Sequence, residues 1–259
     1  MLELLPHQYI LIGLLFIWSG IARSGLGFGG AVFTLPFLLM IVNNPLIWLP
    51  IISAHLLFFS AITVFQSHKK TINAAEGNEK HHTIDWKTLR WALSIIIIPK
   101  IIGVLGLVSL PTELLSGIIF TIVIAYSITY ILNISLNSKS DTLDFIFLAL
   151  GGYISGTSLI GAPLIIAVLA NHINRHQLRD SLFVLWFILV GIKVATFIYF
   201  DIDLQLIHHL WLLPCAGIGH LIGLKVHKKI LESNPKTFYR LLGCILFVMS
   251  TLGLIGTFI

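Results

Sequence analysis

Apolar residues run through this chain in long blocks, at 7–42, 46–66, 89–110, 113–133, 143–170, 181–200, 204–225 and 238–259. Each block reaches the roughly 20 residues a membrane-spanning helix needs, and the blocks are too long and continuous for the alternating ~10-residue strands of a membrane barrel. Two of them exceed one crossing and are interrupted by small residues, first in Gly20-Ile-Ala-Arg-Ser-Gly-Leu-Gly-Phe-Gly-Gly30 and again in Gly151-Gly-Tyr-Ile-Ser-Gly-Thr-Ser-Leu-Ile-Gly-Ala-Pro163. A polar stretch around 135–142 separates two halves, 1–134 and 143–259, and each half reads as a broken segment followed by three ordinary spans. The pattern predicts one all-α polytopic membrane domain.

Composition agrees, with 57% hydrophobic and only 10% charged residues against roughly 25% charged in a soluble domain. Little polar sequence remains for a soluble catalytic or sensory domain. Met1-Leu-Glu-Leu-Leu lacks a basic leader and a small-residue cleavage site, so no removable signal peptide is expected. Cys215 and Cys244 lie apart in apolar runs, without the spacing of a disulfide framework or zinc site. The formal charge of +5 serves orientation in the lipid bilayer, not nucleic-acid binding. Outside the apolar blocks the cations are Lys69, Lys70, Lys80, Lys87 and Arg90, then Lys139, then Arg175 and Arg179, then Lys225, Lys228, Lys229, Lys236 and Arg240. The positive-inside rule wants all of them cytoplasmic. Lys139 and the pair Arg175 and Arg179 flank the second broken segment, so that segment must enter and leave on one side, as a hairpin. If the first does the same, each half crosses an odd number of times. The halves then form inverted repeats, and both termini lie outside the cytoplasm.

Irregular backbone survives inside a bilayer only where protein buries it or water reaches it. Transporters built on inverted repeats use such interruptions at the midplane, where freed N–H groups face anionic substrates. Small residues also serve plain close helix packing, but a pair of breaks at equivalent places, each followed by Pro36 or Pro163, favours the site. An offset of 131 matches Gly20, Ser24, Gly25, Gly30 and Ala31 with Gly151, Ser155, Gly156, Gly161 and Ala162, whereas 132 pairs Gly20 with Gly152 and Gly29 with Gly161. Arg23, Lys100 and Lys193 are cations within apolar blocks, and no carboxylate sits comparably deep. Central placement costs each on the order of 3 kcal/mol, so either the side chains snorkel to the headgroups or they face an anion. His55 and His220 are candidates for proton coupling, set against a structural role as helix-to-helix hydrogen-bonding groups. His68, His81 and His82 share a polar loop without metal-ligand spacing, and neither a metal nor a cofactor is expected.

Gly25-Leu-Gly-Phe-Gly-Gly-Ala-Val-Phe-Thr-Leu-Pro36, Ser155-Gly-Thr-Ser-Leu-Ile-Gly-Ala-Pro163 and the two-halved layout of the whole chain resemble the sulfite exporter TauE/SafE family. Leu159 and Ala162 stand where that family commonly has glycine. The resemblance implies an inner-membrane carrier that exports a small anion, a sulfur oxyanion or organosulfonate such as sulfite, and a homodimer is compatible with it. Carried over by position, it puts Gly25, Gly27, Gly29, Gly30 and Pro36 with Ser155, Gly156, Gly161 and Pro163 around the site. Ser24, Arg23, Lys100 and Lys193 join them as anion donors, in a pocket around which the two halves rock. The competing readings are a scaffold subunit without transport and an intramembrane serine hydrolase. The latter lacks a serine–histidine pair recognisable from spacing, and the protein reads as no enzyme.

Overall fold

The computed structural model describes residues 4–26, 30–74, 84–134, 136–232 and 235–259. Among them the chain is helical: α1 (Pro6–Leu26), α2 (Leu35–Ile41), α3 (Pro45–Ala74), α4 (Trp86–Ser109), α5 (Thr112–Ile131), α6 (Asp141–Ser158), α7 (Ala162–His172), α8 (Arg175–Tyr199), α9 (Leu206–Glu232) and α10 (Pro235–Phe258). Six stretches are long and apolar enough to cross a membrane: Pro45–Phe65, Trp86–Ser109, Thr112–Ile131, His176–Tyr199, Leu206–Lys225 and Tyr239–Phe258. The two broken segments are α1 with α2 and α6 with α7.

Both breaks double the chain back. His172 at the end of α7 meets Asp144 in the first turn of α6 at 2.7 Å, and Gly151 in mid-α6 faces Ile165. In the first half the Ser19 hydroxyl donates to the Gly30 carbonyl at 3.2 Å. Each short helix starts with a proline in its first turn, Pro36 in α2 and Pro163 in α7, where the missing N–H leaves no helical bond unmade. The α6 helix stops because Leu159 turns left-handed, at φ 62 and ψ 11, and its N–H closes on the Ser155 carbonyl.

Three helix pairs hold the bundle, and glycines set their approach. Gly219 of α9 lies on the Ile17 carbonyl and Gly20 of α1, and Gly223 on the Ile21 carbonyl and Ser24. Numbers rise together, so α1 and α9 run parallel. Gly152 of α6 faces Ile96 of α4, and Gly103 of α4 faces Tyr153 and Gly156, again in parallel. In the third pair Gly117 of α5 meets Phe258, and Gly243 of α10 meets Ser127 and Tyr130, so these two run antiparallel. With no hydrophobic drive between helices in lipid, such small-residue seams supply the van der Waals contact that holds helices together. Exchanging α1–α5 with α6–α10 turns the α1–α9 pair into α6–α4 and returns α5–α10 to itself. Each half therefore grips the other.

The seams also fix the register of the two breaks. Gly223 sits on Ile21, Ser24 and Gly25 as Gly103 sits on Tyr153, Gly156 and Thr157, and Gly20 meets the Ala216 carbonyl as Gly152 meets that of Ile96. That is an offset of 132. Past the break Gly30 abuts Arg23 and Gly161 abuts Ser155, an offset of 131, so the second break is one residue shorter and both registers occur.

At the start of α4 the Asp85 carboxylate caps the helix, accepting from the Thr88 N–H at 3.0 Å and its hydroxyl at 2.9 Å. The Thr88 N–H is the main reason the Asp85 carboxyl is held below its ordinary value. A lowered folded-state value stabilises above the unfolded carboxyl's range and is lost as pH falls through the folded one. Acid melts of Asp85→Asn are expected to lack this component below about pH 4, a difference that thermal melts of both proteins from pH 6 to pH 3 would read.

Candidate functional site

Arg23 is set into the last turns of α1 and is only 5% exposed. Its guanidinium lies 4.1 Å from the ring centroid of Phe59 on α3, a cation–π contact strengthened by the dry surroundings. Its Nε and Nη2 are buried without a hydrogen-bond partner among the described residues. The next residue, Ser24, pairs with His220 Nδ1 of α9 at 2.6 Å. His55, on α3, packs edge-on against Phe16 at 5.2 Å and His209 at 5.1 Å, and both its ring nitrogens are buried without partners among the described residues. It lines a pocket of about 20 Å³ with Arg23, Ser19 and Gly30.

The second break is held differently. Lys100 of α4 donates from Nζ to the Ser155 carbonyl and to Ser155 Oγ, both at 2.9 Å. Lys193 of α8 donates from Nζ to the Gly156 carbonyl at 2.7 Å. Both lysines are fully buried. The last carbonyls of a helix lack intrahelical partners and carry its partial negative charge. The Ser155 carbonyl already accepts from the Leu159 N–H, so Lys100 adds a second donor to it, and Lys193 donates to the Gly156 carbonyl one residue on. Among the described residues the ion pair found is His172 with Asp144, and neither lysine has a carboxylate partner there. Lys100 on α4 and His220 on α9 are equivalent by the seam register, and each bonds a serine at the end of a hairpin's first helix.

The two breaks meet at a cavity of about 40 Å³. Arg23, Gly30 and Ala31 come from the first break and Ser155, Leu159 and Ala162 from the second, with Leu56 of α3 and Phe183, Trp186 and Val190 of α8 completing the wall. Arg23 and Ser155 are equivalent positions, each packed on the glycine that follows its break. One brings a guanidinium and the other a hydroxyl. Ser155 Oγ accepts from Lys100 and so keeps its own proton to donate. The wall thus carries hydrogen-bond donors and positive charge, aromatic and aliphatic surface, and no carboxylate. Such a site suits a small anion. It does not suit a polymer: Ser155 with Lys100 and Ser24 with His220 are serine–base pairs that spacing did not reveal, but the cavity Ser155 lines is far too small for a peptide.

Of the expected site residues, Arg23, Gly30 and Ser155 line this cavity, and Lys100 stands directly behind Ser155. Lys193 sits behind Gly156. Ser24 turns to α9, Gly25 lies beside Gly223, and Gly156 packs on the Lys100 carbonyl and Gly103. Gly161 packs on the Gly151 carbonyl and Ser155, Pro36 is buried in α2, and Pro163 faces a different groove. Gly27 and Gly29 lie outside the described residues, as do His81 and His82. Sequence reading missed Phe59, Phe183, Trp186 and His209. Phe59 was the findable one, since it follows His55 by one helical turn and shares its face.

The family model described as sulfite exporter TauE/SafE matches residues 11–252. No curated protein and no solved structure matches the chain. The matched span takes in both glycine-rich breaks, the α1–α9 and α4–α6 seams and every residue of the cavity. The chain is a multi-pass membrane protein and belongs to the sulfite exporter TauE/SafE family, a family of membrane transporters.

Proposed function

We propose that this protein is a secondary transporter that exports a small sulfur oxyanion or organosulfonate, such as sulfite, across the inner membrane by alternating access. The observation that carries the reading is Arg23, a buried guanidinium with two unpartnered nitrogens on a cavity to which both breaks contribute. A desolvated cation without a counter-charge is costly, and a bound anion relieves that cost. Inverted repeats are supported by α5 and α10, equivalent helices that run antiparallel, and charge placement then sets both termini in the periplasm. Because each half grips the other through α1–α9 and α4–α6, the moving bodies are these exchanged pairs with their hairpins, not the two sequence halves.

Alternating access also draws support from one break in the symmetry. On one side α2 packs on α10, and Asn43 donates to the Thr257 hydroxyl at 3.4 Å. On the other a groove of about 370 Å³ lies between α5 and α7, lined by Thr129, Tyr130, Pro163, Ala167 and Ala170. Asn43 follows Pro36 by the interval at which Ala170 follows Pro163, and Thr257 and Tyr130 are the penultimate residues of α10 and α5. The contact closed at one end is open at the other. We read this as an inward-facing arrangement, since the groove is lined by Asn137 and Asn171, which lie close in sequence to Lys139 and Arg175, at the end that charge placement assigns to the cytoplasm.

The test is uptake of radiolabelled sulfite into proteoliposomes, first with wild type and then with an Asn43→Cys, Thr257→Cys protein in which Cys215 and Cys244 are replaced by alanine. Wild type carries sulfite above protein-free vesicles. Bridging the new cysteines with a short, reducible thiol cross-linker is expected to cut uptake at least about ten-fold, and reductant restores it. Undiminished flux through the cross-linked protein would refute the closing role of this contact, and no sulfite flux in wild type would refute the transport reading.

A further inference from the structure

Four non-glycine residues have positive φ among the described residues: Asn133, Leu159, Asp201 and Gln205. Asn133, Asp201 and Gln205 are polar and lie in connections between helices. Leu159 is aliphatic, 8% exposed, and forms part of the cavity wall between the breaks. A leucine is a poor choice for a left-handed turn because its Cβ crowds the following carbonyl. Glycine would make the same turn freely and would leave the cavity larger. The leucine therefore costs conformational energy in order to occupy space, and strain of this kind gathers at functional sites.

The space it leaves is small. A water needs about 10–15 Å³ of this kind of volume, so about 40 Å³ holds a few waters or one compact oxyanion. An anion with a carbon tail does not fit beside Trp186 and Phe183. We propose, resting on the transport reading above, that Leu159 sets the upper size limit of the substrate: the site takes a bare oxyanion of the sulfite type and refuses organosulfonates. Ala162, next along the same wall, leaves the remaining room by carrying only a methyl group.

The experiment measures sulfite uptake into proteoliposomes with sulfoacetate as competitor, and uptake of labelled sulfoacetate itself. In wild type, sulfoacetate competes poorly and is not carried. Leu159→Gly is expected to lower the sulfoacetate concentration needed for half-inhibition at least about ten-fold and to carry sulfoacetate, while remaining folded, since relief of the left-handed strain offsets part of the packing it loses. Leu159→Asn, which tolerates the left-handed turn but trims the apolar bulk, shifts the ratio in the same direction and guards against a folding artefact. Ala162→Val, which narrows the cavity, lowers sulfite uptake. Two results overturn the size limit: wild type that accepts sulfoacetate as readily as sulfite, or an unchanged ratio in a folded Leu159→Gly protein. A wild type that carries neither anion removes the transport reading beneath it, and is told apart by the absent sulfite flux.

Discussion

Arg23→Met is expected to purify as a folded protein that has lost anion transport. The two unpartnered guanidinium nitrogens belong to a side chain that lines the cavity, and each charge-assisted hydrogen bond to an oxyanion is worth about 1.5–3 kcal/mol. Losing two predicts a fall in affinity of at least about 100-fold at 1.4 kcal/mol per factor of ten. The fold should not suffer in parallel. Exchanging an uncompensated buried charge for an apolar side chain of similar length is often neutral or stabilising, and methionine still packs on Phe59. Melting temperature and sulfite uptake should therefore separate, the first held or raised and the second abolished. Arg23→Lys keeps the charge but not the planar fork and retains part of the flux. Near wild-type uptake by a folded Arg23→Met protein would remove Arg23 from the site.

Gly219→Val should instead destroy the bundle. A Cβ at Gly219 would collide with the Ile17 carbonyl oxygen, and the Gly20 Cα stands 3.0 Å away. Backbone cannot rotate aside as a long side chain can, so α1 and α9 would have to separate along the whole seam. Overpacking commonly costs about 1–3 kcal/mol, and the seam forced open here is the one that seats Arg23 and the first break. The expected result is little detergent-stable protein and a melting temperature well below wild type, read by size-exclusion chromatography and a thermal ramp. Gly217→Val is the control, since a Cβ there meets nothing within 4 Å, and it should behave as wild type. Equal stability of the two variants would mean that the α1–α9 seam does not hold the fold.

The sequence made some of this legible because the bilayer imposes simple demands. Long apolar runs had to be helices, and Lys139 and Arg179 on either side of one broken run required a hairpin, which Asp144 and His172 close. Which helices pair was not legible. A glycine such as Gly103 or Gly219 advertises a close approach without naming the surface that approaches, and the partners lie in the opposite half. The buried cations were legible as exceptions but not as roles: burial says only that Lys100, Lys193 and Arg23 need a reason. For the lysines the structure supplies acceptors at the end of α6, the Ser155 carbonyl and hydroxyl and the Gly156 carbonyl, and for Arg23 a place in the cavity wall. Trp186 and Phe183 gave no signal, because an aromatic in an apolar span looks like any other until its neighbours are known.

The exchange of partners between halves also sets a timetable for biogenesis. Ser24 bonds His220 across 196 residues of chain, so α1 leaves the ribosome and enters the membrane long before α9 exists. Until then Arg23 and the glycine face of α1 confront lipid, a state the insertion machinery or a neighbouring helix must tolerate. The α4 helix waits less, since α6 follows after one helix and the linker. A chain stopped after residue 134 would therefore hold helices whose glycine seams have nothing to meet, a natural target for membrane proteases. The same chain cut at the linker and supplied as two co-expressed pieces would have every partner present, and assembly of the fragments, not folding of either, becomes the decisive step.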